Sequence, residues 1–270
     1  MSMAKAPVME DKELARQADR ARLLAVEMVN SLGLGYLGQV LSSAELLTVA
    51  MGRFLRTGLD RFVLSPGHYV TGVYAVAAVL GRLNAGALAT YGRDGSELET
   101  IGTERTPFVD HTCGSLAQGL SVGIGYALAD RLAGSDARVV VFSSDGEMEE
   151  GQTWEAAIFA AHHGLSSLSV LLDCNDSQVD GPVSSVTSLE PIAAKWEAFG
   201  WEVFEVEGHD IGSISSAMTV TRDHRPRVVV ARTSPTGGLE ALNGSVDAHF
   251  IKMTDDLAES MTEELVRRIG

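Results

Sequence analysis

Two oxygen-bearing side chains stand thirty residues apart, Asp145 after the apolar run 139–142 and Asn175 after the run 168–172. If the two runs are neighbouring strands, these side chains lie at one edge of a sheet, which suits a hard cation that also binds phosphate oxygens. Gly146 would let the backbone approach an anion closely, and a helix after it would offer free N–H groups. The pattern indicates a metal-diphosphate site. An ordinary strand-to-helix turn with acidic capping residues is the alternative.

Strand and helix patterns alternate along the chain. Apolar spacing predicts helices over 11–32, 69–80 and 255–269. Strand patterns occur at 61–64, 137–142, 168–172, 201–206 and 227–232. This alternation predicts one α/β domain over residues 1–270, a doubly wound parallel sheet with helices on both faces. Ligands bind beyond the carboxyl ends of the strands in such sheets, where Asp145, Asn175, His68 and the segment after Arg232 should meet.

Three further patterns concern helix starts and a loop. Ser42 and Glu45 form a capping-box signature before the apolar run 46–55, which predicts a helix beginning there. Residues 114–132 predict a helix rich in glycine and alanine, able to pack closely against another helix. Residues 91–110 are polar and irregular, as expected of an active-site loop.

Composition excludes several classes of function. The chain has 270 residues, 45% of them hydrophobic and 21% charged, which is typical of a globular protein. A net charge of −15 argues against nucleic acid or an anionic membrane as a partner. Cys113 and Cys174 have no metal or redox spacing and are interpreted as small apolar residues in a reducing cytosol. No apolar run reaches the length of a bilayer span, and the first residues are charged, so we expect a cytoplasmic protein.

The stretch from Asp145 to Asn175 resembles the thiamine-diphosphate motif, which runs Gly-Asp-Gly, then about thirty residues, then Asn. Two other stretches are similar to transketolase: residues 60–68, which end in Ser-Pro-Gly-His, and residues 114–121, which read Gly-Ser-Leu-Ala-Gln-Gly-Leu-Ser. The resemblance runs from about residue 20 to 250. It implies the diphosphate-binding domain of the thiamine-diphosphate-binding fold, with thiamine diphosphate and Mg²⁺ as cofactors.

The resemblance also implies roles for individual residues. Asp145, Asn175 and the backbone carbonyl of Ser177 would bind Mg²⁺ on the diphosphate. Those implied to bind the cofactor are His68, Gly114, Leu116, Asp145, Gly146, Glu147, Asn175 and His249. Catalytic roles are implied for His68, His249 and Glu150, the last matching an acidic residue that joins paired active sites across the family's dimer interface. From the residues alone, the histidines could equally be core or capping residues, and Glu147 and Glu150 part of a favourable acidic first helical turn.

The sequence departs from the family pattern at four places. Ser144 replaces the leading glycine of Gly-Asp-Gly, and Tyr36 replaces the histidine of a Gly-His-Pro-Gly segment. A second family histidine is replaced near Thr103, and a lysine-bearing segment is replaced by residues 233–238. The two lost histidines ordinarily contact donor hydroxyls. The resemblance therefore carries over cofactor binding, and does not by itself carry over ordinary sugar-phosphate chemistry.

The chain is long enough for only the first of the three transketolase domains. The domain that binds the aminopyrimidine ring and supplies the activating glutamate would come from a separate C-terminal subunit, in an expected α2β2 assembly. The predicted function is that of the N-terminal subunit of a split transketolase, transferring a two-carbon ketol or acyl-type unit from a ketose or 2-oxo donor to a carbonyl acceptor. Two alternatives stay open: a pyruvate-decarboxylating carboligase subunit (acyloin-forming or deoxyxylulose-phosphate-synthase-like), and a non-catalytic scaffold or regulatory partner.

Overall fold

The computed structural model describes residues 9–109, 111–112, 114–220, 224–243 and 248–270. Its α-helices are α1 (Asp11–Leu32), α2 (Gly38–Val49), α3 (Val70–Val79), α4 (Gln118–Leu132), α5 (Gly151–His162), α6 (Val183–Val186), α7 (Ile192–Ala198), α8 (Ile211–Thr219) and α9 (Asp255–Ile269). Its strands are β1 (Leu34–Gly35), β2 (Arg61–Leu64), β3 (Val139–Ser144), β4 (Leu168–Cys174), β5 (Glu202–Glu207), β6 (Arg227–Arg232) and β7 (Ile251–Lys252).

Five of the described strands form a parallel sheet in the order β2-β3-β4-β6-β5, and β1 pairs with β7 in a separate antiparallel ribbon. The predicted fold class is confirmed. β3 and β4 are direct neighbours, with Ser144 opposite Asp173. β4 and β6 are also neighbours, with Cys174 opposite Arg232. The ends of β3, β4 and β6 therefore lie side by side at one edge of the sheet.

Alternate residues of each central strand enter two different hydrophobic cores, because successive side chains of a strand point to opposite faces. On β3, Val140 and Phe142 belong to the core shared with α1, α2, α3, α8 and α9. Val139 and Val141 belong to the other core, shared with α4, α5 and α7. The sheet is covered on both faces, as the continuous apolar runs predict for parallel strands.

The capping-box prediction at Ser42 is wrong. Helix α2 already begins at Gly38, whose backbone N–H donates to Ala248 O at 2.7 Å, and it runs through Val49 into a π-helical turn. Ser42 and Ser43 lie inside this helix and are buried. The Ser43 hydroxyl donates back to Gln39 O rather than to a free N–H at a helix start. A long-range backbone contact, absent from any local pattern, determines where α2 starts.

The glycine-rich helix α4 begins at Gln118, four residues later than predicted. Ala117, just before it, has a positive φ of 64°, and its N–H donates to the Glu147 carboxylate at 2.7 Å. With this hydrogen bond and its positive φ, Ala117 is not helical, and α4 begins at the next residue, Gln118. Gly119 and Gly123 of α4 pack closely on the sheet side rather than against another helix: an added Cβ would lie 2.6 Å from Ser65 Cα at Gly119 and closer still to Val141 Cγ2 at Gly123.

The other predicted elements are present, with β3 two residues and β5 one residue later than predicted. Helices α1 and α9 and strands β2 and β6 have the predicted bounds, α3 lies within 69–80, and β4 extends two residues further than predicted. No helix within the described residues is long and apolar enough to cross a membrane. Cys174 is a buried free thiol, as expected of a small apolar residue, whereas Cys113 lies outside the described residues.

Candidate active site

Asp145 is a buried carboxylate at the end of β3. It is 4% exposed; one oxygen accepts from the Gly146 N–H at 2.9 Å and the other from the Asp176 N–H at 2.7 Å. Burial, and then the negative charge of Asp173, raise the pKa of Asp145 to about 7. No cationic side chain among the described residues pairs with it to offset this cost. A buried carboxylate in this position favours a bound cation.

Asn175 follows β4 and is held by its side-chain amide. Its Nδ2 donates at 3.1 Å to the Ser42 hydroxyl, at 3.1 Å to the Tyr69 hydroxyl and at 3.2 Å to Asp173 Oδ2. Its Oδ1 accepts from the Ser177 N–H at 3.0 Å, an Asx turn that uses one of two lone pairs. The amide nitrogen thus faces the protein interior, and one lone pair of the oxygen is left for a ligand.

Asp173 is the centre of this buried network. It is 0% exposed and accepts from the hydroxyls of Ser42 at 2.6 Å, Tyr69 at 3.0 Å and Thr233. Burial raises the pKa of Asp173, and these hydrogen bonds oppose that rise. The carboxylate therefore links α2, the start of α3 and the segment after β6 to the metal-ligand candidate Asn175.

The residues present fit Mg²⁺ bound together with a diphosphate. No group of three His, Cys, Asp or Glu side chains in the described part of the chain could hold a metal by itself. Magnesium commonly uses one or two carboxylates and completes its shell with substrate phosphates and water. Asp145, Asn175 Oδ1 and the Ser177 carbonyl offer such a partial set of hard oxygen ligands. Their joint coordination of Mg²⁺ stays a prediction.

There is room for a ligand beside these groups. A cavity of about 350 Å³ reaches Asp145, Asp176 and Thr233, its other walls coming mainly from residues 183–192, and Asn175 and Gly146 do not line it. An added Cβ at Gly146 would meet only Gln178 Oε1, at 3.8 Å, and one at Gly114 would meet nothing within 4 Å. These two glycines leave open space that a diphosphate could fill.

His68 and His249, far apart in sequence, lie together with their ring centroids 5.5 Å apart. His68 belongs to a 3₁₀ turn directly after β2. Burial, and then the positive charge of His249 when protonated, lower the pKa of His68 to about 3, so His68 is neutral at pH 7. Tyr36 contacts both rings, at 5.3 Å from His68 and 5.8 Å from His249. Tyr36, which replaces a histidine of the family pattern, therefore lies in one cluster with His68 and His249.

Glu147 and Glu150 differ in their surroundings. The Glu147 side chain is 0% exposed and accepts from the hydroxyls of Ser65 and Ser143, both at 2.6 Å, and from the Ala117 N–H. Any role of Glu147 in cofactor binding must act through those three groups. Glu150 is exposed at the start of α5, and its carboxylate has no hydrogen bond to the described residues. Gly114 is exposed and Leu116 half-buried at the approach to α4.

Several residues of the site were missed by the sequence reasoning. They are Gln39, Ser42, Tyr69 and Asp173, whereas Thr233 belongs to the segment after Arg232 that was predicted to reach the site. Asp173 could have been found, because it is a carboxylate at the end of a predicted buried strand, two residues before Asn175. Gln39 carries no such signal. Its Nε2 lies 2.8 Å from His249 Nδ1, across 210 residues of sequence.

The family model described as "Transketolase, thiamine diphosphate binding domain" matches residues 14–266. The chain belongs to this transketolase family. It is 37% identical to a transketolase family protein of Sinorhizobium fredii, over 89% of this chain and 90% of the relative. It is 33% identical to a 6-deoxy-6-sulfo-D-fructose transketolase subunit of a Clostridium species, over 94% of this chain and 96% of the relative.

A solved structure shares the fold of this transketolase-family chain. The transketolase of Campylobacter jejuni superposes with a TM-score of 0.86 at 24% identity, over 96% of this chain. The match covers 43% of that enzyme. The chain thus spans less than half the length of the solved transketolase, and the likeness establishes the fold alone.

Proposed function

We propose that this chain binds thiamine diphosphate and Mg²⁺ as the N-terminal subunit of a transketolase-type enzyme. The enzyme transfers a two-carbon ketol or acyl-type unit from a ketose or 2-oxo donor to a carbonyl acceptor. The observation that carries the proposal is the buried Asp145, hydrogen-bonded to the Asp176 N–H where β3 and β4 end side by side. The pKa of Asp145 is raised because its carboxylate is buried near Asp173 and no cationic side chain of the described residues pairs with it.

The proposed metal ligands are Asp145, Asn175 Oδ1 and the Ser177 carbonyl, with Gly114, Leu116 and Gly146 along the cofactor. When bound, thiamine diphosphate supplies the carbon nucleophile and electron sink needed to break and form a carbon–carbon bond. The chain's own residues bind and orient. The Asp173 network holds Asn175 through its amide nitrogen, and Glu147 supports the site through Ser65, Ser143 and Ala117.

His68 and His249 are the proposed catalytic side chains of this chain. His68 is neutral at pH 7 because its pKa is lowered. Its ring can therefore donate or accept a hydrogen bond at a substrate oxygen without adding a charge to the site. The Tyr36 ring contacts both histidine rings and also packs against the exposed ring of Phe250, 5.0 Å away. Together these groups would hold a donor or acceptor oxygen while a proton is gained or lost.

A separate C-terminal subunit completes the proposed enzyme, with an α2β2 assembly. Two facts support it: a relative of nearly the same extent is named as a transketolase subunit, and the chain matches only 43% of a complete transketolase. The exposed Glu150 at the start of α5 is available for contact between subunits. We further propose that the chain acts as a single thiamine-diphosphate-binding unit in the cytoplasm.

Isothermal titration calorimetry with thiamine diphosphate and Mg²⁺ tests the site, on the chain alone and with its C-terminal subunit. Asp145→Ala should weaken binding by more than about 100-fold, since even partners of metal ligands are worth 10- to 100-fold. The control is Asp180→Ala, which removes an exposed carboxylate on the segment after β4 and should leave binding unchanged. Undiminished affinity in Asp145→Ala would refute the metal assignment.

A donor screen with product mass spectrometry then identifies the reaction. Ketol transfer from a ketose without carbon dioxide release supports the leading proposal. Carbon dioxide release from pyruvate would instead support the carboligase alternative. If neither reaction occurs and the pair binds no cofactor, the chain is a scaffold or regulatory subunit.

A further inference from the structure

The side-chain amide of Gln39 is paired with the imidazole of His249. Gln39 is 1% exposed, and its Nε2 lies 2.8 Å from His249 Nδ1. An amide NH₂ group can only donate a hydrogen bond, so with the amide in this orientation Nδ1 accepts and carries no proton. In the neutral ring the proton is then on Nε2.

A backbone contact next to this pair positions it. The N–H of Gly38, the first residue of α2, donates to Ala248 O at 2.7 Å. An added Cβ at Gly38 would lie 2.8 Å from the Ala248 carbonyl carbon, so only glycine allows this approach. The contact places residue 249 beside residue 39, and both side chains are buried where α2 meets the segment before β7.

We propose that Gln39 is a positioning residue that holds neutral His249 in the tautomer protonated on Nε2. In that form His249 is a hydrogen-bond donor through Nε2 and has no basic nitrogen for a ligand, since the lone pair of Nδ1 is used by Gln39. This deepens the proposed function and rests on it for the ligand: an anionic or carbonyl oxygen of the cofactor or donor is the group such an N–H binds.

Two rings lie beside His249: that of His68, 5.5 Å away, and that of Tyr36, which meets it edge-on at 5.8 Å. The amide oxygen of Gln39 has no hydrogen-bond partner within the described residues. The contact with Nδ1 is the one polar contact of this amide within those residues, so reversing the amide would reverse the tautomer.

Histidine-selective ¹⁵N NMR of the cofactor-free full chain tests the tautomer directly. The chain has seven histidines, and the signal of His249 is assigned by its loss in His249→Gln. We expect an unprotonated Nδ1 and a protonated Nε2 in the wild type. Gln39→Glu should place a proton on Nδ1, because a carboxylate accepts there, and Gln39→Met should give a mixture of tautomers. A protonated Nδ1 in the wild type overturns the proposal, and so does the same pattern in all three proteins.

The control is Gln17→Met, which removes another buried glutamine with an unpaired amide oxygen, in α1. It should leave the His249 signals unchanged. In the enzyme reconstituted with its C-terminal subunit, Gln39→Met should lower kcat/KM by roughly 10- to 100-fold, and Gln17→Met should not. The NMR result does not depend on cofactor binding. If calorimetry shows no thiamine diphosphate binding while NMR finds His249 protonated on Nε2, the proposed function is refuted but the pairing of Gln39 with His249 is supported.

Discussion

The side-chain amide of Asn175, the first residue after β4, donates to the carboxylate of Asp173 near the end of that strand, at 3.2 Å. The contact forms where β4 ends, so the last turn of the chain out of the strand brings the amide back onto the strand's own carboxylate. It turns the amide nitrogen inward and leaves the oxygen to the Asx turn with Ser177 and to a cation. The proposed metal ligand is thus oriented by a residue that would not itself touch the metal.

The first prediction concerns Asp173→Asn. Every neighbour of this carboxylate is a donor, so an amide would place its own N–H groups against the donors Ser42, Tyr69 or Thr233. We expect the free energy of unfolding to fall by roughly 2–4 kcal/mol, and Mg²⁺ affinity to fall because Asn175 is no longer held. Denaturant unfolding and calorimetry measure the two effects. Ser42→Ala, which removes one donor, should cost about 1 kcal/mol, and equal losses in both variants would contradict the prediction.

The second prediction compares two glutamates of one 3₁₀ turn. Glu147 is fully buried and accepts from three donors, including the N–H of Ala117, whereas Glu149 is exposed. Glu147→Gln should lower the free energy of unfolding by roughly 2–4 kcal/mol, because one donor is left facing an NH₂ group. Glu149→Gln should change it by less than about 0.5 kcal/mol. Chemical denaturation of the two variants measures both changes. Equal denaturation midpoints for Glu147→Gln and Glu149→Gln would show that the hydrogen bonds of Glu147 contribute little to stability.

The third prediction uses two glycines of α4. An added methyl at Gly119 would lie 2.6 Å from Ser65 Cα, whereas at Gly125 nothing lies within 4 Å. Gly119→Ala should destabilise by about 1–3 kcal/mol, because backbone has to move. Gly125→Ala should stabilise by up to about 1 kcal/mol, since alanine is the better helix former. Thermal unfolding gives both values, and a stable Gly119→Ala would mean that α4 is free to shift on β2.

The fourth prediction concerns pH and the buried pair of Glu45 and Arg22. Burial acts to raise the pKa of Glu45, but the charge of Arg22 and hydrogen bonds from His209 and Arg22 outweigh it and lower this pKa from 4.5 to about 2. A lowered folded-state pKa stabilises the protein above the unfolded value, and this stabilisation is lost as the pH falls through the folded one. The ion pair should therefore contribute roughly 3 kcal/mol near neutrality and lose it between about pH 4.5 and 2.

The measurement compares Glu45→Gln with the wild type in denaturant titrations from pH 7 to 2. The difference in free energy of unfolding should be largest at pH 7 and should shrink below pH 4.5. Asp11→Asn, which removes an exposed partner of Arg53, should cost less than about 1 kcal/mol throughout. A Glu45→Gln penalty that grows as the pH falls would contradict a lowered pKa for this carboxyl in the folded protein.

Much of the fold was predictable, because strand and helix periods are local properties of the sequence. The bounds of α1, β6 and α9 and the positions of Asp145 and Asn175 just beyond β3 and β4 agree with the structure. The starts of α2 and α4 were not predictable. They depend on the hydrogen bonds of Gly38 to Ala248 and of Ala117 to Glu147, whose partners come from distant segments.

The sequence by itself determined the α/β class, the family and the edge of the sheet where chemistry belongs, since element periodicity and the spacing of motif residues are written along the chain. Only the tertiary structure decided how that edge is built. Asp173 meets Ser42 across 131 residues, and Gln39 meets His249 across 210. Such pairs form because the sheet brings its strand ends together with the start of α2, and no local pattern encodes a hydrogen bond between residues so far apart.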